Sequence, residues 1–183
     1  MTKQDRLDQI AADIAKNNVC PDLAKTAKHL VFGEGNAGAK VIFIGEAPGK
    51  KEDETGRPFV GVSGAFLTEL LEGIGLKRED AYITSILKYR PPNNRDPRTA
   101  EKDAFWPYLL KQIEVIEPKL IVTLGRHSAN CFLPKLVIGQ DHGQPQKWQG
   151  RTILPLYHPA AALYNGALRN IANNDFANIK DFI

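Results

Sequence analysis

Three stretches of the chain gather residue types that could do chemistry on a bound ligand. The first reads Gly45-Glu46-Ala47-Pro48-Gly49, continues through Glu52 and Asp53, and closes with Gly56-Arg57-Pro58-Phe59-Val60-Gly61. Glycine and proline let a backbone turn sharply and approach a ligand closely, with amides free to point inward. Glu46 stands just past an apolar run, where a carboxylate could orient a water or steady a developing positive charge. The second stretch, Ser85 to Pro97, holds Lys88, Arg90, Asn93, Asn94 and Arg95. Its cations, with Arg98, could neutralise phosphates, which fixes register without reading sequence; a charge-rich loop is more often simply solvated. The third stretch is His158-Pro159-Ala160-Ala161-Ala162-Leu163. By contrast, His29, His127 and His142 read as ordinary satisfied histidines. Cys20 and Cys131 give no metal-ligand spacing and no disulfide framework, so no metal site is expected.

The elements that must position these stretches are legible in the apolar pattern. Leu7, Ile10, Ala11 and Ile14 recur at helical spacing and predict an amphipathic helix over 4–17. After a Gly/Asn-rich connector from Gly33 to Gly38, Lys40–Gly45 reads as a buried strand stopped by Pro48-Gly49. A helix over 64–74, a strand over 81–84, a long helix near 99–116 and a strand over 119–124 follow. Gly125 then opens a helix through about Leu133, and a last strand over 152–156 ends at Tyr157-His158-Pro159. Strands that alternate with helices imply a parallel sheet covered on both faces, because parallel neighbours need crossovers. The expected fold class is α/β: one domain over 1–183, three layers α/β/α, with a central four-stranded parallel sheet. Ligands of such sheets bind beyond the carboxyl ends of the strands. The loops after Ile44, Thr84 and Leu156 should therefore converge.

Composition sets bounds on what that site serves. With 183 residues and 43% hydrophobic content, the chain can bury one core. Met1 to Lys16 lacks the apolar segment of a secretory signal, and no run is long enough to span a bilayer. The expectation is a cytoplasmic protein without a membrane partner, acting as a monomer. A net charge of +3 permits nucleic-acid binding without arguing for it. The phosphate-loop patterns G-x-G-x-x-G and G-x-x-x-x-G-K-[ST] are absent, which counts against a generic nucleotide-binding domain.

Taken in order, GEAPG…ED…GRPFVG, YITS…K-RPPNNRDP, PKLIVTLG and YHPAAAL resemble the iron–sulfur type of the uracil-DNA glycosylase superfamily, with similar spacing from about residue 20 to 170. The resemblance implies a uracil-DNA glycosylase-like fold and hydrolysis of the N-glycosidic bond of uracil, or a related deaminated base, in DNA. It implies base excision repair, with single- or double-stranded DNA as partner and the target base flipped out of the stack. It also implies roles. Phe59 would stack on the base, where an ordinary Phe would be core. His158 would donate a hydrogen bond to a base oxygen as negative charge builds there. Glu46 would orient water or steady the sugar cation, or else tether its loop; the next position, an acid in related glycosylases, is Ala47. Asn94 would help place the water, and Gly45, Ala47 and Ser85 would line the base site. Lys88, Arg90 and Arg95 would contact DNA. Leu163 would be a wedge for the gap left by the base, with packing against its own helix an equal alternative. Glu52 and Asp53 read as structural. No lysine is placed for a Schiff base, so the expected enzyme is monofunctional, with water as nucleophile.

Two departures stand out. The family's four-iron cluster uses four cysteines, and here Leu23, Tyr89 and Phe105 stand at three of those places beside Cys20. Such a cluster needs thiolates. The expectation is that it is absent, that no cofactor is used, and that the three bulky side chains fill its volume. The family also reads uracil with an asparagine where this chain has Ser85. A good bidentate contact carries roughly 1–3 kcal/mol of discrimination, so selectivity would weaken or shift toward hypoxanthine or xanthine, unless Asn93 or a water compensates. The alternative is a protein that binds damaged DNA or a flipped base with weak or no cleavage.

Overall fold

The computed structural model describes residues 1–183. Short aliphatic runs make the strands at its centre: β2 (Val41–Gly45), β3 (Tyr82–Ser85), β4 (Leu120–Leu124) and β6 (Arg151–Leu156) pair in parallel in the order β3-β2-β4-β6. The sheet has six strands rather than four. Edge strand β1 (Glu34–Gly35) forms inside the Gly33–Gly38 connector and runs antiparallel to β3, and β5 (Gln146–Trp148) runs antiparallel to β6. Gln149 and Gly150, both at positive φ, close the β5–β6 hairpin, the conformation that matches strand twist in a tight turn.

Alternation along the strands sends residues to two separate core layers. Ile42, Ile44, Ile121 and Ile153 face one layer, packed by Leu7, Ile10 and Ile14 of helix α1 (Lys3–Lys16) and by Phe105, Leu109 and Ile113 of α5 (Thr99–Ile116). Val41, Phe43, Val122 and Leu154 face the other, under α4 (Val62–Gly73) and α9 (Gly166–Ala177). Thr2 and Asp5 form a capping box that sets the start of α1. Shorter helices are α2 (Pro21–Thr26), α3 (Lys50–Thr55), α6 (Arg126–Phe132), α7 (Ile138–Asp141) and α8 (Pro159–Ala162). No helix is long and apolar enough to cross a membrane.

Chain order reverses at β2: the next strand, β3, lies on one side of it and β4 on the other. A crevice opens at such a reversal, because successive crossovers leave in opposite directions.

Candidate active site

A cleft of about 460 Å³ lies at the carboxyl ends of β2, β3 and β6. The loop after β2 contributes Glu46, Ala47, Pro48 and Phe59; β3 contributes Ser85; the loop beyond it contributes Asn94 and Arg95; and the segment after β6 contributes His158 and Ala160. The three strand-end loops singled out by sequence do meet.

Phe59 is held in an unusual way. It is buried, with φ of 49°, a left-handed conformation that an aromatic residue adopts only under constraint. The constraint is Glu52 on α3, whose Oε1 accepts from the Val60 and Gly61 amides at 2.9 and 3.0 Å. The bond to Gly61 also satisfies an orphan donor at the start of α4. Two glycines make room. A Cβ at Gly45 would stand 2.6 Å from the Phe59 ring, and one at Gly64 would stand 2.0 Å from the Phe59 carbonyl oxygen. Asp53, one residue on from the clamp, accepts from the Lys28 and His29 amides. Both carboxylates thus have structural partners, as the sequence reading expects.

The His158 ring stacks on Phe59, with centroids 5.7 Å apart and planes inclined by 29°. Its Nδ1 accepts from the Ala160 amide at 3.1 Å. In a neutral imidazole the proton then sits on Nε2. Burial pushes the His158 pKa down to about 4, with only a small opposing pull from Glu52. At neutral pH the cleft therefore contains an uncharged imidazole with one donor.

Glu46 is half-buried and lines the cleft. Burial raises its pKa; His127, Arg126 and Lys102 pull it back down, while Asp96 adds to the rise. His127, opening α6, was read from sequence as an unremarkable residue. Its Nε2 is buried without a hydrogen-bond partner, 3.4 Å from Asp96 Oδ2 and 4.0 Å from Glu46 Oε2. This is the one place in the chain where three such side chains bring imidazole and carboxylate donor atoms close together. The imidazole sits close to both acids and opposes the rise that burial imposes on Glu46. Nothing in the local pattern distinguished His127; only its place just after β4 could have pointed to it.

The second loop departs from expectation at Lys88. That side chain is fully buried, and its Nζ donates to Thr84 Oγ1 at 2.6 Å, the Ser85 carbonyl at 2.8 Å and Gln112 Oε1 at 2.6 Å. It cannot reach a phosphate; burial drives its pKa well below the usual lysine value, and it ties the end of β3 to α5. Arg90 and Arg95 stay at the surface but are engaged. Arg90 Nε donates to Asn94 Oδ1 at 2.8 Å, and Arg95 makes a two-pronged pair with Glu101. Asn94 borders the cleft, whereas Asn93 is exposed and does not line it. Ser85 is buried at the cleft floor, its Oγ 3.3 Å from where a Gly45 Cβ would stand. Leu163 is half-buried and packs against the α4/α9 core layer.

Residues 32–179 match the sequence pattern of the Uracil DNA glycosylase superfamily. The chain belongs to that superfamily. It is 49% identical over 97% of its length to a type-4 uracil-DNA glycosylase of Saccharolobus solfataricus, covering 86% of that protein. It is 45% identical over 94% of its length to the type-4 enzyme of Archaeoglobus fulgidus, covering 91% of it. Against the type-4 enzyme of Thermotoga maritima it is 41% identical over its full length, covering 97% of the relative.

The four places where an iron–sulfur glycosylase would hold its cluster come together in space, which permits a test of fit. Leu23, Tyr89 and Phe105 are buried in one core layer with Cys20 packed against it, and the Tyr89 and Phe105 rings meet edge-on at 6.0 Å. Burial, aided by Glu101 and Asp22, pushes the Cys20 thiol up to about 11, so it is a neutral thiol. One protonated thiol among packed rings does not suit a cluster that needs thiolate ligands.

Proposed function

We propose that this chain is a monofunctional uracil-DNA glycosylase that works without a cofactor, as one domain over 1–183, in base excision repair. The observation that carries the reading is His158: a neutral imidazole lining the same cleft as the Phe59 ring, its Nδ1 occupied and its proton left on Nε2. A uracil flipped from DNA lies against Phe59 and accepts a hydrogen bond from that Nε2–H at a carbonyl oxygen. When the N-glycosidic bond breaks, its electron pair goes to the base and the sugar becomes cation-like. The donor strengthens as charge builds on the oxygen, so it favours the transition state over the ground state. A neutral donor suits this step, because a proton given outright to the base is not required. Water adds to the sugar carbon and gives its proton to the Glu46 carboxylate, which holds that water and steadies the cation beforehand, while Asn94 borders its approach.

Gly45 and Ala47 leave space for the base, and Ser85 offers its edge one rotatable hydroxyl. Asn93 plays no compensating part from its exposed position, so selectivity rests on the fit of the cleft as much as on hydrogen bonds. Arg90 and Arg95, in the loop beyond β3, supply the cations offered to the backbone of a bound strand. The test is a panel of labelled oligonucleotides carrying uracil, hypoxanthine, xanthine or a thymine mismatch, treated with alkali after incubation. Uracil strands should be cut fastest. Binding without alkali-labile sites on any strand would support a protein that only holds a flipped base.

A further inference from the structure

Lys88 is fully buried, and the chemistry described so far makes no use of it. No carboxylate pairs with it: burial alone acts on its ionisation, and burial favours the neutral amine. Its three partners work the other way, because all of them are acceptors. The Ser85 carbonyl has no proton to give. The Thr84 hydroxyl donates its proton to the Phe32 carbonyl at 2.7 Å, so toward Lys88 its oxygen accepts. Gln112 is fixed in the same sense. Its Nε2 donates to the Phe32 carbonyl at 3.1 Å, which leaves Oε1 for Lys88. A neutral amine brings two protons and a lone pair, and the lone pair would face an acceptor. Three acceptors at 2.6 to 2.8 Å call for three protons. The Phe32 ring, 5.6 Å from Nζ, adds a face that favours a cation.

The place of this group gives such a charge something to act on. Nζ bonds the carbonyl of Ser85, whose side chain is on the cleft floor. The same peptide unit carries the Ile86 amide, which donates to the Gly45 carbonyl at 3.0 Å. The Leu87 amide donates to the Glu46 carbonyl at 3.1 Å, and the Lys88 carbonyl accepts from the Val31 amide at 2.8 Å. Glu46 and Val31 both line the cleft. Given the glycosylase reading above, on which this inference rests, we propose that Lys88 is a buried ammonium without a counter-ion in the protein, and that it stabilises the negative charge gathering on the base as the N-glycosidic bond breaks. An unpaired buried charge costs stability. The departing base supplies the missing counter-charge, and only as the bond breaks, so the attraction favours the transition state. A dry interior lets it act beyond contact distance. Lys88 touches neither base nor sugar; it acts across the Ser85 peptide and is a positioning residue.

Gln112→Glu tests this with little change of shape, because it places a carboxylate beside Nζ and cancels the free charge. Single-turnover release of uracil and of 5-fluorouracil from single-stranded DNA would be measured for the parent, Gln112→Glu and Lys88→Met. Fluorine stabilises the departing anion, so 5-fluorouracil needs less help from the protein. Gln112→Glu should lose about tenfold to a hundredfold on uracil, the range for a charge acting across several ångströms of protein, and clearly less on 5-fluorouracil. Lys88→Met, where it folds, should show the same bias. Equal losses on both bases, or none for Gln112→Glu, overturn the inference, since a purely structural tie would slow both alike or be strengthened by the new ion pair. The parent labelled with nitrogen-15 lysine gives a reading that needs no variant: the splitting of the buried Nζ signal at neutral pH counts its protons. Three support the ammonium and two overturn it. If the parent releases neither base, the glycosylase reading has failed separately, and the proton count still decides the state of Lys88.

Discussion

At the scale of single residues, the site works through control of charge. His158 is neutral above a pH of about 4, since burial lowers it from the ordinary 6.5. The native state disfavours its charged form, so the associated stability is complete above 6.5 and is lost as pH falls toward 4. Activity should fail earlier, because the role proposed for Glu46 needs the carboxylate form and its pKa is raised. The acid limb of the pH–rate profile should follow Glu46. Its charged and titratable neighbours are His127 and Arg126 on α6, Asp96 in the second loop and Lys102 on α5. Removing His127 takes away a neighbour that favours the carboxylate, so His127→Ala should move the acid limb to higher pH. Asp96→Asn takes away a repelling acid and should move it lower. Profiles of kcat for the two variants check this; shifts in one direction for both would show that Glu46 does not set the limb.

The elements differ sharply in how far their sequence announces them. The parallel strands are dense aliphatic runs bounded by Gly and Pro, and α1 and α5 are long with apolar residues at helical spacing, so all are legible. Helix α3 reads KKEDET, with no apolar stripe to detect; it forms because Glu52 and Asp53 point inward onto backbone amides. Helix α9 mixes apolar and polar residues with little segregation, and only Ala172, Asp175 and Phe176 are buried. Strands β1 and β5 are too short to leave a period. Lys88 was misplaced because loop charge says nothing of direction, although every residue from Ala81 to Tyr89 is buried and this run contains it. The Glu52 clamp yields a prediction for the element it controls. Hydrogen bonds to a charged group contribute about 1.5–3 kcal/mol each, so Glu52→Ala, which removes two of them, should cost about 3–6 kcal/mol in denaturant unfolding. It should slow cleavage as well, because Phe59 then relaxes from its left-handed conformation. An unchanged midpoint and rate would show that Phe59 is held by something else.

For the molecule as a whole, the fold brings together loops that are far apart in sequence and packs Leu23, Tyr89 and Phe105 into one core layer beside Cys20. The position of Leu23, Tyr89 and Phe105 lies on the sheet face opposite α4 and α9, so its side chains support the scaffold and take no part in the cleft. Purified protein should carry no iron and show no visible absorption. Phe105→Ala should cost about 3–5 kcal/mol, as for other buried aromatics, while leaving the cleft residues in place. Iron near four atoms per chain would refute the packing account. The convergence of the cleft was readable from the alternation of strands and helices, but the ionisation and tautomer of His158 depend on burial and on the Ala160 amide, which no sequence pattern states. They are open to a single comparison: cleavage rate and affinity for uracil-containing DNA, measured side by side for the parent and His158→Ala. The rate should fall by about a hundredfold to a thousandfold, the loss typical of one transition-state donor, with affinity nearly unchanged. A variant that cuts uracil as fast as the parent would contradict the assignment of His158.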